Sequence, residues 1–396
     1  MSCASQGGED GEVPLACVTR ALFGAFFAMG FGFASWAARI PQVRDALNLG
    51  PGALGLLLLS IAAGSVLSLP VAGTVVGVLG AARAVTITAL VSAAGLFIAG
   101  LGSRIGALPV AAGLFLLGAG NGTWLVAMNV EGTLIEHRLS RALLPRFHAS
   151  YSIGTVAGAL TGAAVVVIDI SAMVHLIAVA LGIALVVPWT ASRFLTPVES
   201  ERARDEPRRH PLTAWTEPRT LLLGLSVFCW AFIEGTGTDW IGVSVIDGYH
   251  ARAAAGSLAL GLFLAAMTAG RWFGTVSVDR FGRVASVRGS AVLACLGVIL
   301  TVFGGWLPLA IVGVILWGVG GALGLPLGMS AAADDPVLAA GRVGVVTSIG
   351  WLAFLSGPPL VGLLGNRVGT LDALVAAAGF ATASLLLSGV LRAKLA

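Results

Sequence analysis

Glu234 and Arg271 are the residues of this chain most able to do chemistry, because each stands inside a long apolar stretch. Glu234 is about 13 residues into its stretch, roughly 20 Å along a helix and so close to the middle of a bilayer. A charge at that depth costs a few kcal/mol or more and is retained for a reason. A carboxyl whose surroundings alternate between wet and dry can take up and release a proton. Glu234 is therefore a candidate for proton coupling or solute binding; the competing reading is a packing carboxylate satisfied by Arg271 or by backbone. Arg271, at a comparable depth on the following stretch, could bind an anionic solute, neutralise Glu234, or simply lead into the next loop.

Other polar groups fall near the ends of such stretches. Asp239 lies toward the outer end of the stretch that carries Glu234, and Arg39 toward the outer end of the first stretch. Opposite charges there can join and part as a gate, so an Arg39–Asp239 bridge is expected, with two separate wet charges as the alternative. Asn121, Asn129, Trp36, Trp240 and Trp124 are candidate cavity residues. Tryptophan near a span end also serves as interfacial belt. His148 and Glu131 are candidates for a proton relay at the inner surface. Helix capping is the alternative for Glu131 and Asn129.

A scaffold that holds these groups in hydrocarbon is written in the composition. The chain has 396 residues, is 57% hydrophobic and 11% charged, and has a mean hydropathy of +0.95. Those values exclude a soluble domain of this size. About twelve apolar stretches of roughly twenty residues are expected to cross a bilayer as helices. They cover 18–38, 52–78, 84–103, 107–128, 147–169, 172–192, 221–245, 257–277, 287–305, 308–330, 343–365 and 370–391. The expected fold class is therefore an all-α integral membrane protein with twelve transmembrane helices in two pseudo-symmetric halves. The domain reading is a tail at 1–17, a six-helix half at 18–192, a linker at 193–220, a second half at 221–391 and a tail at 392–396. The linker is rich in charge and proline, as a tether would be.

The second half echoes the first. "GFASW" ending at Trp36 is answered by "GTDW" ending at Trp240, and "LGLLLLSIAAGS" from Leu54 by "LGLFLAAMTAGR" from Leu260. "GAGNG" at Gly118 is answered by "GVGGA" at Gly318, and "SIG" at Ser152 by "SIG" at Ser348. Many secondary transporters are built from such repeats, with the solute site between them. The repeat fails where charge enters: Gly77 stands opposite Asp279 and Ser65 opposite Arg271. Coupling chemistry is accordingly expected in the second half.

Charge placement sets topology. Most of the 23 Lys and Arg cluster on one side, including Arg83, Arg138, Arg146, the run from Arg193 to Arg219, Arg280, Arg283 and Arg342. The positive-inside rule puts both termini in the cytoplasm and the chain in the cytoplasmic membrane. The arginines are scattered over loops, so no nucleic-acid face is expected. The first 14 residues are polar and acidic, and the first span is expected to act as an uncleaved anchor. Cys3, Cys17, Cys229 and Cys295 have no metal-ligand spacing, and no disulfide is expected.

Enzyme motifs are missing. A Walker A loop needs a lysine, and Lys394 is the only one. There is no HExxH, CxxC or GxSxG, and glycine strings such as "GAGNG" sit inside apolar stretches, where they suit close helix packing. No enzyme activity, cofactor or metal is expected.

The loop "GTVSVDRFGR", Gly274 to Arg283, resembles the signature loop of the major facilitator superfamily. That resemblance implies a conformational latch in which Asp279 pairs with Arg280 or Arg283 near a helix end; a solvated charged turn is the alternative. "ASWAARIP" (34–41), "AMNVEGTLIE" (127–136), "RFHASYSIG" (146–154) and "EGTGTDW" (234–240) narrow the likeness. They are similar to a bacterial branch of the superfamily that contains the rhizopine-locus membrane protein and is related to the fucose permeases. The resemblance implies a monomeric carrier of a small organic solute, often sugar-like, working by alternating access, with protons as the plausible coupling ion. It places Leu125 and Val126 where an acid is usual on the fourth span. The alternative function is proton-antiport efflux of an amphipathic compound, and a non-transporting membrane sensor ranks below both. "GPPLVG" at Gly357 to Gly362 is expected to bend the eleventh span.

Overall fold

The structure is a computed structural model, and it describes residues 15–139, 141, 143–195, 211–335 and 338–392. Residues 1–14 and 393–396 of the expected tails and 196–210 of the expected linker lie outside the described residues. Every regular element described is helical. In chain order these are α1 (Leu15–Ala37), a short α2 (Ile40–Ala46), α3 (Pro51–Leu79), α4 (Ala81–Gly102), α5 (Ala107–Leu139), α6 (Leu144–Val167) and α7 (Ala172–Ala191). They continue with α8 (Pro218–Tyr249), α9 (Ala253–Phe303), α10 (Leu307–Gly321), α11 (Gly324–Ala332), α12 (Ala339–Val368), α13 (Thr370–Ala373) and α14 (Val375–Leu387).

Eleven of the described segments are long and apolar enough to cross a membrane. One of them, α9, has 51 residues and contains a single non-helical residue, Gly282, at φ 77° and ψ 168°. That conformation is open to glycine and disfavoured for other residues. Gly282 thus divides α9 into the expected eighth and ninth spans, which brings the total to twelve. Gly80, between α3 and α4, has φ 75° and ψ 160°. The repeat is therefore kept in backbone geometry at the turn where it is lost in charge. The tenth span is α10 with α11, and the twelfth is α13 with α14. The helix α12 is helical throughout, with Pro358 and Pro359 inside it.

The chain forms two compact units. The first holds residues 1–39 and 60–206, the second residues 40–59 and 207–396. The division runs through α3, so the segment from Ile40 to Leu59 packs with the second unit.

In the first unit α1 lies on α6 and α7, and α4 on α5 and α7. Glycine makes the closest of these approaches possible. A Cβ on Gly113 would come within 2.5 Å of the Ala99 nitrogen and of the Gly95 carbonyl oxygen. In the second unit α8 lies on α12, and α9 on α10. There a Cβ on Gly313 would come within 2.5 Å of the Thr301 nitrogen and 2.7 Å of the Gly297 oxygen. Small residues let helix backbones touch where no aqueous hydrophobic drive operates. Outward faces carry exposed apolar side chains such as Leu108, Leu185 and Leu386, as a lipid-facing surface requires. Cys17 departs from expectation: it is disulfide-bonded, while Cys229 and Cys295 are free and Cys3 lies outside the described residues.

Candidate functional site

The second unit brings Glu234 and Arg271 together. Arg271 on α9 donates from Nη2 to Glu234 Oε2 on α8 at 2.8 Å, with side chains 32% and 19% exposed. The pair is neither sealed in the core nor fully exposed. Apolar flanks on both helices place it: α8 buries Trp230, Ile233, Thr236 and Gly237 around Glu234, and α9 buries Leu264 and Met267 before Arg271. Thr238 donates back to the Glu234 carbonyl at 2.9 Å. Asp239, one turn further along α8, is half-buried and has no hydrogen bond or ion pair to any described residue. An acid left without a partner inside a span is the costly arrangement that functional sites retain. Trp240 beside it is fully buried, and its indole Nε1 has no partner.

Arg39 is engaged within the first unit, and not as the expected gate would have it. It is 1% exposed, donates from Nε to His175 Nδ1 at 3.1 Å and from Nη2 to the Ile170 carbonyl at 2.8 Å. Burial pulls its pKa down to about 10, so it stays charged at neutral pH. Because Nδ1 of His175 accepts this bond, the ring proton sits on Nε2, which is itself buried without a partner. The sequence offered His175 no visible partner; the fold supplies one from the loop after α1.

A charge cluster that the sequence did not single out occupies the corresponding end of the second unit. Arg44 on α2 bonds Asp247 on α8 at 2.5 Å and its neighbour Asp45 at 2.7 Å. Burial works against the Arg44 charge, but the bonds to Asp247 and Asp45 outweigh it and hold the pKa above the ordinary arginine value. Thr370 donates to the same Asp247 oxygen at 3.0 Å, and the Gly52 amide donates to Asn366 Oδ1 at 3.0 Å. A Cβ on Gly55 would lie 2.4 Å from the Pro358 carbonyl oxygen. The N-terminal end of α3 is thus packed against α12 through backbone.

The remaining candidates separate. Asn121, 9% exposed, accepts from Ser92 Oγ at 3.1 Å and ties α5 to α4. Trp36 and Trp124 are buried, at 1% and 0% exposure, so neither is an interfacial belt residue. His148 is exposed, meets Asn129 Oδ1 at 3.1 Å and sets its ring edge against Phe26. Glu131 is buried and accepts from the Leu195 amide at 2.7 Å. Glu136, which sequence reasoning passed over, accepts from the amides of Leu143 and Leu144 at the start of α6. A capping carboxylate seven residues before its amides, across a turn, leaves no recognisable local signature.

The latch loop also differs from expectation. Arg283 bonds Asp334 at 2.5 Å, not Asp279, and Arg219 bonds the other Asp334 oxygen at 3.2 Å. Asp279 and Arg280 are exposed, with the Arg280 guanidinium over Phe281 at 5.4 Å. The reason is the Gly282 break: it turns Arg283 toward the loop after α11, where Asp334 stands.

Twelve spans, an internal repeat and an ionisable pair within the spans define a membrane carrier. The sequence matches the Major Facilitator Superfamily over residues 21–358, and the chain belongs to that family. It is a multi-pass membrane transporter, and its relatives are transporters, not enzymes. It is 31% identical over 352 residues to the uncharacterized transporter y4wD of Sinorhizobium fredii, covering 88% of this chain and 91% of that one. It is 28% identical to the membrane protein MosC of Rhizobium meliloti, covering 87% and 83%. In fold it is similar to the nucleoside transporter NupG, with a TM-score of 0.78, 16% identity, and coverage of 94% of this chain and 98% of that one.

Proposed function

We propose that this chain moves a small organic, sugar-like solute across the cytoplasmic membrane by alternating access, coupled to protons, as a monomer with both termini in the cytoplasm. The observation that carries this reading is the partly exposed Glu234–Arg271 pair at 2.8 Å, with the unpartnered Asp239 one turn away. Protonating Glu234 would release Arg271, and a solute hydroxyl or carboxylate could take the vacated donors. Asp239 is the second acid, able to hold a proton while Glu234 is paired. A neutral pair favours an uncharged or zwitterionic solute over a net ion, and NupG, a nucleoside transporter, shares the fold. Asn129 and His148 would then serve at the inner mouth, as relay or solute contact.

The outer gate in this reading is Arg44–Asp247, since Arg39 is committed to His175 and Ile170. Asp279, Arg280 and Arg283 act as the latch loop, with Asp334 as the acid that Arg283 uses. The test is transport by purified protein in liposomes under an imposed pH gradient. Radiolabelled sugars, cyclitols and nucleosides should accumulate against the gradient, and Glu234→Gln should stop that while leaving the fold intact. Coupled uptake unchanged in both Glu234→Gln and Asp239→Asn would end the proposal. Proton-driven extrusion instead of uptake would select the efflux alternative.

A further inference from the structure

A second binding feature lies well away from the ion pair, where α4 begins and α7 ends. Counting passes along the chain, both ends lie on the side where α1 begins. Arginine placement assigns that side to the cytoplasm. A cavity of about 220 Å³ opens there, lined by Ala82, Arg83, Thr86 and Ile87 of α4 and by Pro188, Ala191 and Ser192 beyond it. Its floor is apolar and its rim polar. Arg83 is exposed and has no ion pair or hydrogen bond to any described residue. Among the described residues, no carboxylate lines the cavity.

A second cation sits next to the rim. Arg193 follows the lining residue Ser192, donates from Nη1 to the Trp189 carbonyl at 3.1 Å and lays its guanidinium 3.5 Å from the Trp189 ring centre. Trp189 is itself 62% exposed. A tryptophan turned outward at a span end, with an arginine on its face, marks the headgroup level of a bilayer. Below it the outward faces of the same two helices are apolar, with Ile87, Leu90, Leu185 and Val186 exposed. Thr86 and Ser192 donate only to carbonyls of their own helices, and a hydroxyl rotor can turn from such a bond to a stronger acceptor.

We infer that this cavity is a binding site for an anionic phospholipid, its phosphate between Arg83 and Arg193 and its acyl chains along α4 and α7. Basic pockets between spans on the cytoplasmic side suit anionic headgroups, and that leaflet supplies them. An unpaired cation over an apolar groove asks for a ligand that is anionic at one end and hydrocarbon at the other. A free phosphate would satisfy only the first requirement.

The experiment is thermal denaturation of the full chain in detergent micelles doped with dioleoyl phosphatidylglycerol. Dioleoyl phosphatidylcholine and inorganic phosphate are the comparison arms. Phosphatidylglycerol should raise Tm and the other two should not, because ligand bound to the native state stabilises it by mass action. Arg83→Gln and Arg193→Gln should each weaken the apparent affinity about fivefold. Arg104→Gln, an exposed cation at the other end of α4, should leave it unchanged. Native mass spectrometry should show one retained lipid fewer in Arg83→Gln. An equal rise with phosphatidylcholine, a rise with phosphate alone, or an undiminished response in both Arg83→Gln and Arg193→Gln would overturn the inference.

Discussion

One end of the first unit is closed by carboxylates that accept from backbone amides, and one end of the second by carboxylates that grip arginines. Glu131 and Glu136 bind the amides of Leu195, Leu143 and Leu144. Asp334 binds Arg219 and Arg283, and Glu217 binds Arg342 at 2.6 Å. An amide fixed in a helix end cannot follow a moving acid, whereas an arginine on a flexible stem can change partner. The first unit therefore uses its acids as fixed caps, and the second keeps them exchangeable. The same contrast holds for two further arginines. Arg39 rests on a neutral imidazole and a carbonyl, while Arg271 faces the acid Glu234. Two copies of one helical scaffold have taken on different electrostatic tasks.

The contrast is broken most directly at Glu234. Glu234→Gln should reduce proton-driven uptake to the level of empty liposomes, while Glu131→Gln, which keeps an acceptor oxygen for the Leu195 amide, should retain most of it. A first-unit variant that alone abolished coupling would reverse the assignment.

The scaffold itself should respond symmetrically. Gly113→Ala and Gly313→Ala each drive a methyl into backbone atoms. Each should cost about 1–3 kcal/mol of stability, measured by denaturant titration in detergent. A large difference between them would mean that the halves differ in packing as well as in charge. Next in size is Glu131→Leu, which removes the carboxylate and keeps a side chain of similar length. It leaves the buried Leu195 amide without an acceptor, at about 1–3 kcal/mol, and Gln at the same position should recover most of the loss.

Smaller again is Asp334→Asn. Its ion pairs are partly exposed, so losing both should cost only about 1 kcal/mol and lower Tm slightly. High salt should shrink the difference between this variant and the parent; a difference that salt leaves unchanged would remove the reading of Asp334 as an exchangeable pair.

Much of this was legible in one dimension. Runs of apolar residues long enough to span hydrocarbon have few structural options, because backbone polar groups in lipid must be satisfied within the helix. The number of spans and the repeat could thus be read from residue type and helical rise, and depth within a span marked Glu234 and Arg271 as candidates without fixing whether they pair. The matching positive-φ turns at Gly80 and Gly282 emerge only with the backbone. The membrane family was legible for the same reason, through short strings kept in order across four spans.

What the sequence alone could not decide was which charge meets which. Arg39 was matched with Asp239 by their places at equivalent span ends; the fold gave it His175 and Ile170 instead. Arg44 and Asp247 were passed over because they are 203 residues apart and each looks like an ordinary loop charge. Arg283 chose Asp334 over Asp279 because one left-handed glycine turned it away from its own loop. Hydrophobic burial acts on every residue of a span and leaves a period and a length in the sequence. An ion pair depends on two side chains meeting within a few ångströms, and only the packed tertiary structure fixes that.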